Sequence, residues 1–368
     1  MDRLSYPPAR AVADTVAEHY HRHIAQANAR GASTTMAEPP DAGTIERIIN
    51  AAFWASLRRE EGRAPTISLA YLPREAAGAA LLVERPLPLD PATLTKLAPA
   101  VERPGIHLGV WPNGNELRIW GATRAIPPLC FVVEVIEPGL LVVKHRRIDP
   151  QGKFANVAVL EGDQIKIVDA EGVLTSECPD FVSVLLGFDS AAPDNVLLPL
   201  ALSMRAHNHG GSLLVVPHGS DSWRKSIVSV PYTVAPPFSR LGELVRKGSR
   251  DVQFKEAIDA IGGLTAVDGA VMLSDRWDVL AFGAKIGRTE SGPFVEEVLV
   301  REPILGHTPV KVHASELGGT RHLSAAQFVH EQQDSLALVA SQDGRFTVFG
   351  WSQRAGIVHA YRVEALLL

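Results

Sequence analysis

A chain of 368 residues, 46% hydrophobic and 21% charged, is long enough for two or three domains and apolar enough to bury a substantial core. Its formal net charge of −5 and pI near 6.2 exclude a protein that grips nucleic acid by neutralising phosphates along a duplex, while leaving room for a small local anion site. Cys130 and Cys178 stand alone, so no zinc knot or disulfide framework is indicated, and both read as small apolar residues in a reducing compartment. No long apolar run follows the charges of MDRLSYPPARAV, and residues 363–368 fall far short of the ~20 that span a bilayer. The expectation is a cytoplasmic protein with no signal peptide, no membrane and no nucleic-acid partner.

Residues 9–29 carry Val12, Val16, Tyr20 and Ile24 at i+4 spacing, which predicts a helix with one apolar face. His19 and His23 lie one turn apart on it. With no third ligand near in sequence, they read as part of a solvated face rather than a metal site. Residues 31–43 (GASTTMAEPPDAG) form a loop by composition. A second helix, opened by Thr44, continues through Ile45, Ile48, Ile49, Ala52 and Phe53, and RREEGR (58–63) reads as its solvated end. Short β-rich stretches follow at 66–71, 106–111, 116–120, 130–136 and 140–144, parted by turn signals such as Asn113–Gly114 and Pro138–Gly139. Together they predict an α+β region with an antiparallel meander.

From residue 155 the order is hairpin (VAVLEGDQIKIVD, turning at Glu161–Asp163), helix (195–206) and buried strand (SLLVV, 212–216). Three prolines in PYTVAPPFSR (231–240) mark the expected boundary. It divides an N-terminal α+β regulatory or sensor-like domain, 1–240, from an α/β domain, 241–368, with a mixed central sheet and flanking helices. SRDVQFKEAIDAIGG then predicts a helix capped by Ser249 and closed by Gly262 and Gly263, with Phe254, Ala257, Ile258 and Ile261 on its apolar stripe. A hairpin pairs 270–273 with 279–282, a helix starts at Thr320, and 336–340 is a buried strand. Hairpin, helix and strand thus recur, and MRAHNHGGSLLVVPHGS resembles FVHEQQDSLALVASQDG where helix passes to strand. Duplication and convergence on a common α/β pattern both account for this.

Two motifs carry chemistry. Asp268–Gly269–Ala270 stands where the chain enters a strand; a carboxylate there can hold a divalent metal, and the small residues let a flat ligand approach the backbone. Gly318, Gly319, Thr320, Arg321 and His322 open a helix, whose first N–H groups and positive dipole end attract phosphate, with a hydroxyl and a fork of donors added by Thr320 and Arg321. A strand and a Ser–acid turn follow in VASQDGRF.

This set resembles the diadenylate cyclase family, whose domain carries DGA, then GTRHRA, then a strand ending in a Ser–Glu–Glu turn. The resemblance covers residues 241–368. It implies a metal-binding, catalytic role for Asp268, adenosine contacts at Gly269 and Ala270, and triphosphate contacts at Gly319, Thr320, Arg321 and His322, the last two catalytic. It also places Ser341 and Gln342 beside the nucleotide. It implies ATP as substrate, Mg²⁺ or Mn²⁺ as cofactor, and a homodimer or higher homo-oligomer with active sites face to face. The product it implies is the second messenger cyclic di-AMP. The sequence departs from the family pattern at Leu323, where a second arginine is expected, and at Gln342, where a metal-binding glutamate is expected, with Asp343 the nearest acid. The family's Leu-Pro-Leu stretch is replaced by AFGAKIGRTESG, in which Lys285 and Arg288 are the nearest cations. Each loss removes transition-state stabilisation. Two readings stay open: a metal-dependent diadenylate cyclase, and a catalytically inactive nucleotide-binding sensor module using the same pocket.

Around SLLVV, Arg205, His207, His209, Gly210, Gly211 and His218 suit either a ligand site at a strand end or a polar loop at a sheet edge. Ser220 and Ser222 near His218 lack the GxSxG elbow of a hydrolase. Neither a Walker A nor a dinucleotide-binding fingerprint is present.

Overall fold

The structure is a computed structural model, described for residues 5–31, 35–148, 154–168, 196–289, 292–342 and 344–368; Cys178 lies outside these residues. The chain divides into two units, Met1–Val168 with Leu368, and Asp169–Leu367.

In the first unit, Pro7 suits the first turn of α1 (Pro7–Ala29), whose Val12, Val16 and Tyr20 are buried. Helix α2 (Ala42–Ser56) is capped by Asp41, whose Oδ1 accepts the Thr44 N–H at 2.7 Å. The cap is therefore Asp41, with Thr44 inside the first turn, because a carboxylate three residues upstream reaches the orphan donor. Ile45, Ile48 and Ile49 are fully buried, each contributing about 1.5–3 kcal/mol relative to exposure. Eight described strands form one sheet in the order β2-β4-β3-β1-β5-β6-β7-β8. They are β1 (Ile67–Tyr71), β2 (Leu81–Pro88), β3 (His107–Asn113), β4 (Glu116–Thr123), β5 (Phe131–Glu137), β6 (Leu140–Arg146), β7 (Phe154–Glu161) and β8 (Gln164–Ile167). The sheet is not a pure meander. β1 and β3 run parallel, because β2 and α3 (Pro91–Val101, capped by Asp90) lie between them in sequence and provide the crossover. α1, α2 and α3 share one core with one face of this sheet. On the other face Trp120 Nε1 donates to the Leu72 carbonyl at 2.8 Å, beside buried Cys130 and Val132.

The second unit is α/β with a mixed sheet. Its strands are β9 (Gly211–Val216), β10 (Ile227–Ser229), β11 (Tyr232–Phe238), β12 (Ala270–Ser274), β13 (Val279–Ile286), β14 (Glu297–Arg301), β15 (Val310–His313), β16 (Leu336–Ala340), β17 (Phe346–Ser352) and β18 (Ile357–Arg362). They are ordered β10-β13-β12-β9-β16-β17-β18-β14-β15, with β11 also on β13. Helices α4 (Leu197–Ala206), α5 (Arg240–Arg246) and α6 (Val252–Leu264) share the core on one face; α7 (Thr320–Glu331) covers the other, and α8 (Glu364–Leu367) ends the chain.

Three expectations are corrected here. The prolines at 231–240 do not separate domains: Pro236 and Pro237 lie in β11, antiparallel to β13, at the sheet's margin, where a missing N–H is tolerated. The division falls near residue 168 instead, because β9 lies between β12 and β16 and so belongs to the C-terminal sheet. For the same reason the repeated hairpin–helix–strand is not a repeated domain; its first hairpin, β7–β8, belongs to the other sheet. The cap of α6 is Asp251 rather than Ser249, and Gly262 and Gly263 lie within its last turn. No described helix is long and apolar enough to cross a membrane.

Candidate functional site

Register brings the motifs together. β12 runs parallel to β9 with Ala270 opposite Ser212, and β16 runs antiparallel to β9 with Ala340 opposite Gly211. The amino ends of β12 and β9 and the carboxyl end of β16 therefore meet at one sheet edge. Asp268–Gly269, His209–Gly210 and Ser341–Gln342 arrive there together. The start of α7 reaches the same place: a Cβ on Gly210 would stand 3.3 Å from Arg321 Nη1, 3.3 Å from Gln342 Cγ and 3.2 Å from the Ala340 carbonyl. Gln342 Nε2 donates to the His209 carbonyl at 3.3 Å. Gly210, with φ of +66°, makes both the turn and this close approach possible.

Asp268 is exposed and forms an ion pair with Lys285 of β13. The Lys285 ammonium, first by hydrogen bond and then by charge, holds the Asp268 carboxyl below its ordinary range, and Arg321 adds to the effect. The carboxylate is thus ionised at neutral pH, but already has a cation beside it. Gly269 has φ of +111°, and a Cβ there would come within 2.6 Å of the Gly283 carbonyl oxygen. Its lack of a side chain therefore serves close packing of the hairpin, a use that the sequence reading assigned to the ligand. Ala270 is buried in β12.

Gly319 caps α7 in extended conformation, and a Cβ there would meet open space. Thr320, Arg321 and Leu323 are exposed around this first turn. His322 is buried rather than exposed: its ring stands edge-on to Phe349 at 6.1 Å, and its Nδ1 lies 3.1 Å from where a Cβ on Gly318 would stand, against the glycine pair that opens α7. Ser341 is half-buried in the turn after β16, where its N–H donates to the Arg345 carbonyl at 2.9 Å. Asp343 lies outside the described residues. Arg288 does not turn toward the site: its Nη1 donates to the Gly292 carbonyl at 2.7 Å and its guanidinium stacks on Phe294.

The histidines around β9 separate. His207 and His209 precede the strand, with His207 Nε2 and Thr265 Oγ1 sharing a hydrogen bond of 2.9 Å, whereas His218 follows it. The sequence marks His209 and Gly210 as a separate candidate site, by the glycine pair ahead of a buried strand in RAHNHGG, and does not join them to Asp268 and Arg321, as register does. Chemically, the edge offers helix-start N–H groups, one guanidinium, and one carboxylate with its lysine, a set suited to a phosphorylated ligand. Among the described residues no group of three or more His, Cys, Asp or Glu is placed to hold a metal ion.

Comparison with known proteins adds the following. The family described as "Probable sensor domain DACNV" matches residues 34–124, which fall in the first unit. No curated protein matches the chain. Among solved structures, a hypothetical membrane spanning protein from Bacillus cereus aligns at 16% identity and a TM-score of 0.27, over 46% of this chain and 63% of that one. The chain thus covers less than two thirds of that protein's length. DacA from Staphylococcus aureus, solved as a double mutant, aligns at 13% identity and a TM-score of 0.26, over 47% of this chain and 87% of that one. The sensor-like reading of the N-terminal region is met at the level of that family: residues 34–124 of this chain resemble a probable sensor domain.

Proposed function

We propose that the second unit is an ATP-binding unit of diadenylate cyclase type, joined to a sensor domain that regulates it. One observation supports this most: Asp268 and Arg321, distant in sequence, come to one sheet edge at the start of α7. In this reading the first-turn N–H groups of α7, Thr320 and Arg321 hold the triphosphate, and the backbone of Gly269 and Ala270 lies along the adenosine. Asp268 would supply one oxygen ligand to Mg²⁺ or Mn²⁺. A lone carboxylate fits such an ion only when phosphates and water complete its shell, which is the usual arrangement for Mg²⁺ with nucleotides. The ion's contribution is to neutralise charge on the phosphates. Two copies facing each other would let the 3′-hydroxyl of one ATP attack the α-phosphate of the other, with pyrophosphate leaving; positioning supplies most of such catalysis.

A second reading, a catalytically inactive nucleotide sensor, is favoured by Lys285, which occupies Asp268, and by Leu323 and Gln342 in place of a cation and a carboxylate. Both of these side chains are exposed, so Leu323→Arg with Gln342→Glu leaves the core intact. Incubation with ATP and Mn²⁺ or Mg²⁺, followed by chromatography, separates the readings. A cyclase releases cyclic di-AMP and pyrophosphate as wild type, and the double replacement changes little. A sensor binds ATP without product, and the double replacement starts turnover. A wild type that neither binds nor converts ATP contradicts both.

A further inference from the structure

The parallel pair β9 and β12 has a second end. In open α/β sheets ligands gather beyond the carboxyl ends of parallel strands, yet Asp268 and Arg321 lie at the amino ends of this pair. Beyond the carboxyl ends, where Val216 and Ser274 finish the strands, lies a separate cavity of about 490 Å³. That volume falls within the roughly 300–1,000 Å³ common for small-molecule sites. Its walls include Arg246 of α5, His218, and the Asp275, Arg276, Trp277 and Asp278 turn of the β12–β13 hairpin.

The cavity is built by specific bonds. Asp275 N–H donates to the Val216 carbonyl at 2.8 Å, and Asp275 Oδ1 accepts the His218 N–H at 2.9 Å, tying the hairpin turn to the loop after β9. Asp278 is buried; its Oδ2 accepts from Ser274 Oγ at 3.3 Å and lies 3.6 Å from His218 Nδ1. Trp277 holds φ of +67°, a conformation that a bulky side chain adopts only where its surroundings impose it. Gly242 lets α5 lie against this turn: a Cβ there would collide with the Arg276 carbonyl, and would stand 3.2 Å from Arg246 Nη1 and 3.3 Å from Asp278 Oδ1. One guanidinium and one buried carboxylate therefore flank the same point of the wall.

This charge pattern selects the ligand. A simple anion drawn to Arg246 and Arg276 would meet Asp278, and a simple cation drawn to Asp278 would meet the arginines. A molecule carrying both charges satisfies both, with guanidinium binding carboxylate as a fork and carboxylate accepting from ammonium. Trp277 and Val245 add an apolar surface for a hydrocarbon side chain. We propose that this cavity is a binding site for a free amino acid with an apolar side chain, distinct from the Asp268–Arg321 site. It does not depend on whether that site binds ATP.

Calorimetry on the full chain tests this with L-leucine and L-phenylalanine as probes, against acetate, inorganic phosphate and butylamine. Saturable binding is expected for at least one amino acid and for none of the single-charge probes. Arg246→Ala, an exposed change that leaves the core alone, should weaken it at least tenfold, and Asp278→Asn likewise; Asp268→Asn should leave it unchanged. Absence of amino-acid binding at millimolar concentration would overturn the proposal. So would binding untouched by Arg246→Ala in a variant shown by circular dichroism to be folded, and so would phosphate or butylamine binding as tightly as the amino acid.

Discussion

Acidification should destabilise the first unit through three histidines that the fold keeps neutral, His19, His107 and His145. His107 is buried on β3, where Nδ1 and Ser68 Oγ share a hydrogen bond of 2.7 Å; burial, and then the Lys144 charge, lowers its pKa to about 4. His145 on β6 is buried beside His19 and His23, and burial is again the main cause that lowers it to about 4; burial, and then the charges of His23 and His145, lowers His19 to about 2. The unfolded chain titrates near the ordinary value of about 6.5. Between pH 6.5 and 4 it therefore binds more protons than the folded chain, and stability falls as the pH falls. At pH 5 each histidine costs about 2 kcal/mol, and the three about 6, against a total stability of order 5–15 kcal/mol. Urea unfolding of the full chain, followed by hydrogen exchange resolved by peptide, reads each unit separately. The β1, β3, β5 and β6 peptides should lose protection at markedly lower urea at pH 5 than at pH 7, and His107→Gln should remove about a third of that change. Equal midpoints at the two pH values in wild type would refute the linkage.

Three further predictions concern the second unit. Gly269→Ala combines positive φ with overlap on the Gly283 backbone, so thermal unfolding should show a loss of about 3 kcal/mol; a loss below about 1 kcal/mol would contradict the packing described. Lys285→Met frees Asp268, and metal-dependent ATP binding measured by calorimetry should strengthen several-fold; weaker binding would mean that Lys285 itself holds phosphate. Glu331 accepts from Ser226 Oγ at 2.6 Å, from Thr289 N–H at 3.1 Å and from Gln327 Nε2 at 2.8 Å, so Glu331→Ala should cost about 2–3 kcal/mol and raise hydrogen exchange at residues 286–289 and 292–295. Unchanged exchange there would show that other contacts hold this segment.

Local signals were legible in the sequence, and non-local ones were not. The start of α7 at Thr320 and the strand at 336–340 fall as expected, because cap glycines and a continuous apolar run are encoded within a few residues. The placement of Asp268 before a strand and of Arg321 on a first turn followed from the same kind of signal. What escaped depends on register. Gly210 belongs to the site only because Gly211 pairs with Ala340, and the sequence around it shows two glycines and no partner. β11 resembled a linker because its prolines are tolerated at the margin of a sheet whose other strands come from elsewhere in the chain. β14, β15, β17 and β18 went unread, as did β2 and α3, and with them the parallel pairing of β1 and β3. His322 and Arg321 are adjacent in the motif but point about 100° apart on the helix start, so Arg321 is exposed while the His322 ring is buried between Phe349 and Gly318.

The central claim, that Asp268 and Arg321 serve one ATP site, is tested most directly by calorimetry of ATP with Mg²⁺ or Mn²⁺ on wild type, Asp268→Asn and Arg321→Ala, each repeated with chelator. The account predicts saturable binding by wild type, at least tenfold weaker binding by Arg321→Ala, and loss of the metal dependence in Asp268→Asn. Identical ATP affinity in all three proteins, with and without the ion, would contradict it.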